Sequence, residues 1–297
     1  MRHFNLYAFL AMLMLASMLP ASAQVFYKVE GNGLEHPSYL FGTHHLAPAD
    51  FTDRFKSLPQ AIEQAQAVVG EVDMTIDPMQ LQMRMAPYMQ APADSTLSRL
   101  LSAEEFAVLN EKFKPLSPMP GLDLTMLDGM RPMVATTMVS LTLIQKSMPG
   151  FNPAEQLDTK FQNVFSAAGK KVIPLETPEE QAALLYDFTP ITKQLEALRE
   201  TLDDTSRVEQ MAQKLNKAYL EQNLDVMMHL SDEEETDPAF LQAMLNLRNH
   251  KWMQAIPDIM RAQPAMIVVG ALHLAGPDGL VAQLKEAGYT VTPVDFD

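Results

Sequence analysis

The sequence predicts an α/β fold of the α+β kind, in which a central mixed β-sheet carries large helical insertions. Short apolar runs of the β type occur near both chain ends and in the middle of the chain. A strand–loop–helix–strand order occupies residues 38–72, which is typical of α/β proteins. Long segments with apolar residues at every third or fourth position separate these strands. We therefore expect both ends and the middle of the chain to build one sheet.

The first residues have the pattern of a secretory signal peptide. Arg2 and His3 precede an apolar run over residues 6–19, and Ala21-Ser22-Ala23 supplies a small-residue cleavage site. The apolar run is shorter than the ~20 residues that a membrane-spanning helix needs. We expect cleavage after Ala23 and a single mature domain over residues 24–297. That domain is expected to be periplasmic or secreted, with no stable membrane span.

The next segment predicts a β-hairpin followed by a helix and a strand. Residues 25–30 alternate in polarity, the glycines at 31 and 33 indicate a turn, and residues 38–41 form an apolar strand. Residues 54–66 have helical spacing and residues 67–72 read as a short strand. The prediction is a strand that ends beside Glu71.

The remaining chain alternates between helical insertions and single strands. Residues from about 75 to 150 are rich in methionine and contain prolines that predict several short helices. A helix over 154–168, a strand over 171–175 and a capping box from Thr177 to Glu180 follow. A second helical insertion is expected over about 180–260, with a helical segment over 238–260 as its last part. A strand over 265–269, a helix over 278–287 and a strand over 289–294 follow.

The composition excludes several classes of site. The chain has no cysteine, so disulfides, thiolate metal sites and cysteine nucleophiles are ruled out. A metal ion would have to be bound by His, Asp or Glu, and there are 7 histidines. The 37 acidic against 22 basic residues, a formal charge of −15, argue against nucleic acid and against anionic membrane surfaces as partners.

A duplicated G-x-x-H-L-A motif carries most of the functional information. Gly42 and His45 belong to the first copy, and Gly270 and His273 belong to the second. Each copy follows an apolar strand, and we expect its glycine to supply a backbone angle that other residues resist. Ligands of open α/β sheets bind beyond the carboxyl ends of the strands, so the two histidines are expected to face one point.

Acidic residues occupy similar positions at the ends of two other strands. Glu71 lies at the end of the strand over 67–72, and Glu176 follows the strand over 171–175. Two histidines and a carboxylate suit Zn²⁺, Mn²⁺, Co²⁺ or Fe²⁺, and such an ion lowers the pKa of bound water and polarises a carbonyl. The alternatives are that Glu71 is a surface acid and that Glu176 serves the dipole of the following helix. His44 is a candidate for supporting a metal ligand or carrying a proton.

These motifs resemble the TraB/GumN family, part of the Tiki/TraB superfamily. The resemblance extends over nearly the whole mature chain. It is carried by residues 29–33, 37–43, 70–73, 131–132, the segment around Asp158, and residues 169–177, 248–249 and 269–277. It implies a metal-dependent, peptidase-like fold related to erythromycin esterase and to a haem-binding lipoprotein family.

The resemblance also implies roles for individual residues. His45 and His273 are the expected metal ligands, Glu71 is the family's essential acid, and Arg248 and Asn249 match a polar pair near the site. If Glu71 lies off the metal it becomes the natural general base, and Arg248 could stabilise a developing oxyanion.

We expect an exported metal-dependent hydrolase acting on peptide or protein substrates. The alternative is a non-catalytic periplasmic protein that binds a peptide or a haem-like ligand. A third possibility is a structural or interaction protein in which the histidines have lost their role.

Overall fold

The fold is described from a computed structural model that covers residues 24–148, 150–234 and 237–296. The predicted signal peptide, residues 1–23, lies outside the described residues. The predicted fold class is confirmed, because a six-stranded mixed sheet is surrounded by helices. Within the described part of the chain, no helix is long and apolar enough to cross a membrane.

One sheet contains strands from both ends and from the middle of the chain, as predicted. Its strands are β1 (Phe26–Glu30), β2 (Ser38–Thr43), β3 (Ala67–Gly70), β4 (Lys171–Pro174), β5 (Ala265–Gly270) and β6 (Thr290–Pro293). Their spatial order is β4-β3-β5-β2-β1-β6. β2, β3, β4 and β5 are parallel, whereas β1 is antiparallel to β2 and β6. The two strands that precede the G-x-x-H loops, β2 and β5, are therefore neighbours, and their carboxyl ends meet at one edge.

Helices fill both predicted insertions and flank the sheet. They are α1 (Leu58–Gln64), α2 (Pro78–Met89), α3 (Leu97–Leu100), α4 (Ala103–Phe113), α5 (Pro132–Ser147), α6 (Leu157–Ala167), α7 (Pro178–Ala182), α8 (Ile191–Asp203), α9 (Thr205–Leu220), α10 (Leu224–Glu234), α11 (Pro238–Leu241), α12 (Arg248–Trp252), α13 (Ile256–Ala262) and α14 (Leu280–Glu286). The predicted helical segment over 238–260 is interrupted at residues 253–255.

The apolar side chains form two separate cores. The larger core surrounds β5, whose first five residues are buried as expected for a parallel strand covered on both faces. The smaller core lies among helices of the insertions and includes Phe113 of α4, Val139 of α5 and Leu198 of α8. The helices of the two insertions are thus joined by a core of their own.

Local signals position two segments next to the sheet edge. The predicted capping box is present, since the Thr177 hydroxyl accepts from Glu180 N at 3.2 Å and Thr177 N donates to Glu180 Oε2 at 2.9 Å. α7 therefore begins directly after Glu176. Residues 183–187 and 242–247 then form π-helical turns, a geometry that occurs often at functional sites.

The glycine of the first G-x-x-H motif is required for close packing. The predicted reason, an unusual backbone angle, is wrong: Gly270 has φ −53° and Gly42 is not among the glycines with positive φ. A Cβ built on Gly42 would lie 2.9 Å from the Cα of Ala271, inside van der Waals contact, whereas one on Gly270 would lie 3.4 Å from the nearest atom. Gly42 thus lets the second motif's loop pack directly on β2.

We therefore expect Gly42→Ala to lower the free energy of unfolding by about 1–3 kcal/mol, the usual effect of overpacking against backbone. Gly129→Ala is a suitable control, because a Cβ there would meet no atom within 4 Å. Urea unfolding followed by far-ultraviolet circular dichroism measures both variants. Equal stability of the two variants would contradict the close-packing explanation.

Candidate functional site

A cavity of about 360 Å³ lies at the carboxyl ends of β2, β3 and β5. Its polar side contains both predicted histidines together with Glu71 and Arg248. Its apolar side is formed by Met74, Leu185, Leu215, Met227, Met244, Leu245 and Leu272. The two π-helical turns contribute Leu185, Met244 and Leu245 to this wall. The cavity is where the topology predicts a ligand site.

Arg248 is the centre of the polar side, and all of its N–H groups have partners. Nε donates to Glu176 Oε2 at 3.1 Å, and Nη2 donates to Glu71 Oε2 at 2.6 Å and also to Glu176 Oε1. Nη1 donates to the Met244 carbonyl at 3.1 Å and to His273 Nε2 at 3.0 Å. The five donors of a guanidinium are therefore all used. Two carboxylates thus share one permanent cation at this buried position.

Glu71 is held as a carboxylate. Its Oε1 accepts from Gly270 N at 2.8 Å, and Gln181 Nε2 donates to Oε2 at 3.3 Å. Burial favours the neutral acid, but His273, Arg248 and the Gly270 N–H outweigh it and lower the pKa of Glu71 to about 2. Glu71 is thus ionised at neutral pH and is a weak base.

His273 is fixed in one neutral tautomer by its two neighbours. Asn249 Nδ2 donates to the carbonyls of His273 and Asp278, so Asn249 Oδ1 is the acceptor for His273 Nδ1–H at 2.7 Å. Arg248 can only donate, so His273 Nε2 must accept. Burial lowers the pKa of His273 to about 4, with Glu71 opposing and Arg248 reinforcing the shift. Nε2 therefore carries its lone pair at the polar side of the cavity.

His45 is the most accessible of the predicted site residues, and it lies beside a buried acid. Its side chain is 72% exposed, and its Nδ1 is 3.9 Å from Asp158 Oδ2. Thr43 donates from Oγ1 to Asp158 Oδ1 at 2.8 Å, while Asp158 Oδ2 is buried without a hydrogen-bond partner among the described residues. Sequence reasoning gave Asp158 no role. The sequence feature that indicates Asp158 is its position as an acid in the first turn of α6. This helix packs on the sheet.

His44 also lines the cavity, but its side chain makes no hydrogen bond to the site residues that the structure describes. Its Nε2 is buried without a partner in the described part of the chain, and its ring lies 5.3 Å from that of Tyr219. Burial, with the charge of His45 in second place, lowers the pKa of His44 to about 3. A proton carrier must change charge near the working pH. The geometry thus favours packing against Tyr219 over the predicted role as proton carrier.

The structure brings most of the predicted residues into one hydrogen-bonded network and leaves Gly42, His44 and His45 outside it. The network contains Glu71, Glu176, Arg248, Asn249, His273 and the backbone of Gly270. His45 faces the same cavity without joining the network, and Gly42 acts through packing.

The donor types around the cavity fit a divalent cation. Asp158 Oδ2 has no hydrogen-bond partner among the residues that the structure describes, and His45 is accessible, which leaves a carboxylate and an imidazole available. Glu71 and His273 offer the same atom types but are engaged by Arg248. As the side chains stand, no cluster of three or more His, Asp or Glu residues in the described chain could hold an ion. The ligand set of His45, His273 and Glu71 stays a prediction. It requires Arg248 to release His273 and Glu71.

Comparison with known proteins gives one match. The model of the TraB/PrgY/gumN family matches residues 25–293 of the chain. No curated protein and no solved structure matches it significantly. The matched range contains both G-x-x-H loops and every residue of the polar network.

Proposed function

Because the chain belongs to the TraB/PrgY/gumN family, we propose that it is an exported metal-dependent hydrolase that cleaves peptides in the cavity beyond β2 and β5. The observation that carries this proposal is the arrangement of charge. A guanidinium fixed by two carboxylates and a neutral imidazole lies in the same cavity as an accessible imidazole. A cation that is held in place before the substrate binds is the kind of group that stabilises the negative charge developing during acyl transfer.

Arg248 is proposed to act through its charge and not through a free hydrogen bond. All of its donors are used, so its position changes little when a substrate arrives. Such preorganised charge costs little reorganisation during the reaction. In this proposal Glu71 and Glu176 anchor Arg248. The low pKa of Glu71, about 2, makes it a poor general base at neutral pH.

His45 is proposed as the group that exchanges protons or holds the metal, since its side chain is open to the cavity. A divalent cation, Mn²⁺, Co²⁺, Zn²⁺ or Fe²⁺, would be held by His45, because Glu71 and His273 stay engaged by Arg248 in this proposal. When bound, such an ion lowers the pKa of its water and polarises the substrate carbonyl.

The apolar wall supports a peptide substrate with a large apolar side chain near the reacting carbonyl. Met74, Met227 and Met244 belong to this wall, and methionine adapts its shape to different partners. A volume of about 360 Å³ lies at the lower end of the range for small-ligand cavities. The cavity therefore suits a short stretch of a chain and not a whole protein surface.

We expect His45→Ala to lower kcat/KM for peptide hydrolysis by about 10²-fold or more, the effect of losing one proton-transfer group. Mature protein, residues 24–297, is assayed against a peptide library with each divalent metal and with EDTA. His36→Ala is the matched control, because His36 is exposed and is not among the residues that line the cavity.

Three outcomes of this assay are informative. EDTA-sensitive cleavage that His45→Ala abolishes and His36→Ala retains supports the proposal. Cleavage that resists EDTA overturns the metal requirement. Retention of a peptide or haem-like ligand without any cleavage identifies a binding protein. The apolar wall would also suit such a ligand.

Export is proposed from the sequence of residues 1–23 alone. Intact-mass measurement of the protein recovered from the periplasmic fraction should show Gln24 as the first residue. Recovery of the uncleaved chain from the cytoplasm contradicts it.

A further inference from the structure

In both G-x-x-H histidines Nδ1 faces a side-chain oxygen from another part of the chain, at hydrogen-bonding distance in His273 and farther away in His45. His273 donates from Nδ1 to Asn249 Oδ1 at 2.7 Å, which leaves Nε2 to accept at the polar side of the cavity. His45 also turns Nδ1 toward a side-chain oxygen, Asp158 Oδ2, at 3.9 Å. Each copy of the motif therefore places an oxygen beside Nδ1 of its histidine. The oxygen belongs to the amide of Asn249 in one copy and to the carboxylate of Asp158 in the other.

Asp158 is held in place for such a contact. It belongs to the first turn of α6, where the helix dipole stabilises a negative charge, and Thr43 Oγ1 anchors its Oδ1 at 2.8 Å. Its other oxygen, Oδ2, is buried without a partner among the described residues. An unsatisfied buried carboxylate oxygen is costly, so an available donor should be drawn to it. His45 Nδ1 is such a donor.

We propose that Asp158 is a positioning residue for His45: Oδ2 accepts the Nδ1–H, and the Nε2 lone pair of His45 is thereby directed to the cavity. The distance of 3.9 Å between His45 Nδ1 and Asp158 Oδ2 is longer than that of a hydrogen bond. A movement of the His45 ring by about 1 Å would bring the two atoms within hydrogen-bonding distance. The exposed His45 ring has room for this shift, and such contacts often tighten only when substrate binds. A carboxylate behind an imidazole also fixes the tautomer that metal-binding histidines use.

The position of the hydrogen on the His45 ring reports this contact. The Asp158 carboxylate oxygen accepts from Nδ1–H, and the lone pair then lies on Nε2.

The tautomer can be measured directly. Long-range ¹H–¹⁵N spectra of mature protein labelled with ¹⁵N-histidine and treated with EDTA, at about pH 8 where free histidine is neutral, distinguish Nδ1–H from Nε2–H. Loss of one signal set in His45→Gln assigns His45. We expect mainly Nδ1–H in the unmodified protein, a shift to mainly Nε2–H in Asp158→Ala, and retention of Nδ1–H in Asp158→Asn, whose amide oxygen can accept.

Asn249→Ala is the matched control, because it should alter the His273 signals and leave those of His45 unchanged. Thr43→Val removes the hydrogen bond that holds Asp158 Oδ1 but keeps the Asp158 carboxylate. This variant should lower the fraction of His45 that carries its hydrogen on Nδ1. A dominant Nε2–H form in the unmodified protein, or a tautomer ratio that Asp158→Ala leaves unchanged, overturns the proposal.

The inference bears on the proposed function but its measurement is independent of it. If peptides are hydrolysed, Asp158→Ala should lower kcat/KM and Asp158→Asn should restore much of it. If the chain proves to be a binding protein, the tautomer result still decides whether Asp158 positions His45.

Discussion

Replacing Arg248 by methionine is expected to lower the free energy of unfolding by about 3–5 kcal/mol, because two carboxylates lose their shared counter-ion inside the protein. Arg248 and Glu176 are both 7% exposed, and the side chain of Glu71 is 19% exposed. The substitution also leaves the Met244 carbonyl and His273 Nε2 without their donor. Urea unfolding monitored by far-ultraviolet circular dichroism measures the change.

A surface ion pair of similar geometry is the control. Arg84 contacts Glu179 through Nε at 2.5 Å and Nη2 at 2.6 Å, but the two side chains are 43% and 35% exposed. Exposed pairs contribute about 0–1 kcal/mol, so Arg84→Met should have a small effect. If Arg248→Met destabilises the protein no more than Arg84→Met, the buried network does not have the importance assigned to it.

A second substitution identifies why Arg248→Met lowers the free energy of unfolding. Adding Glu176→Gln to Arg248→Met removes one unpaired charge, so the double variant should be more stable than Arg248→Met alone. Glu176→Gln in the presence of Arg248 should instead be destabilising, since the guanidinium then keeps only one carboxylate. The sign change in this double-mutant cycle distinguishes unpaired charge from lost packing.

The sequence predicts the fold well because the fold depends on local patterns. The turn after β1, the capping box at Thr177 and the apolar run of β5 each fix an element through nearby residues. The two copies of the duplicated motif follow β2 and β5, and the sheet order makes these strands neighbours. The helical segment over 238–260 is less well predicted, because it contains a π-helical turn over 242–247 and a break at residues 253–255, just before Pro257 in the first turn of α13.

The site is only partly predictable because its geometry depends on contacts between distant residues. Glu71 and Arg248 are 177 positions apart, and no sequence pattern states that one side chain would engage the other. The need for glycine at position 42 also comes from tertiary packing, because Ala271 approaches it from the loop that follows the neighbouring strand. The only sequence signal for Asp158 is an acid in the first turn of a helix, and its importance comes from tertiary contacts, an anchored carboxylate beside His45.

Acid is expected to destabilise the protein steeply because two histidines are buried in neutral form. The pKa of His44 falls from 6.5 to about 3, and that of His273 falls from 6.5 to about 4. The folded state therefore binds fewer protons than the unfolded state below pH 6.5. Stability is fully present above that pH and is lost as the pH falls toward the folded pKa values. The pKa of Glu71, lowered from 4.5 to about 2, adds a further loss below pH 4.5.

With two extra protons bound by the unfolded chain, the free energy of unfolding should fall by about 2.7 kcal/mol per pH unit, or about 5 kcal/mol by about pH 4.5. Urea unfolding in EDTA-containing buffers across this range measures the slope. His44→Phe keeps a ring against Tyr219 but cannot be protonated, so it should halve the slope. His229→Gln, at a side chain 72% exposed, should leave the slope unchanged. A slope that His44→Phe does not reduce would show that His44 takes up its proton without unfolding, and the acid sensitivity would then belong to His273 and its contact with Arg248.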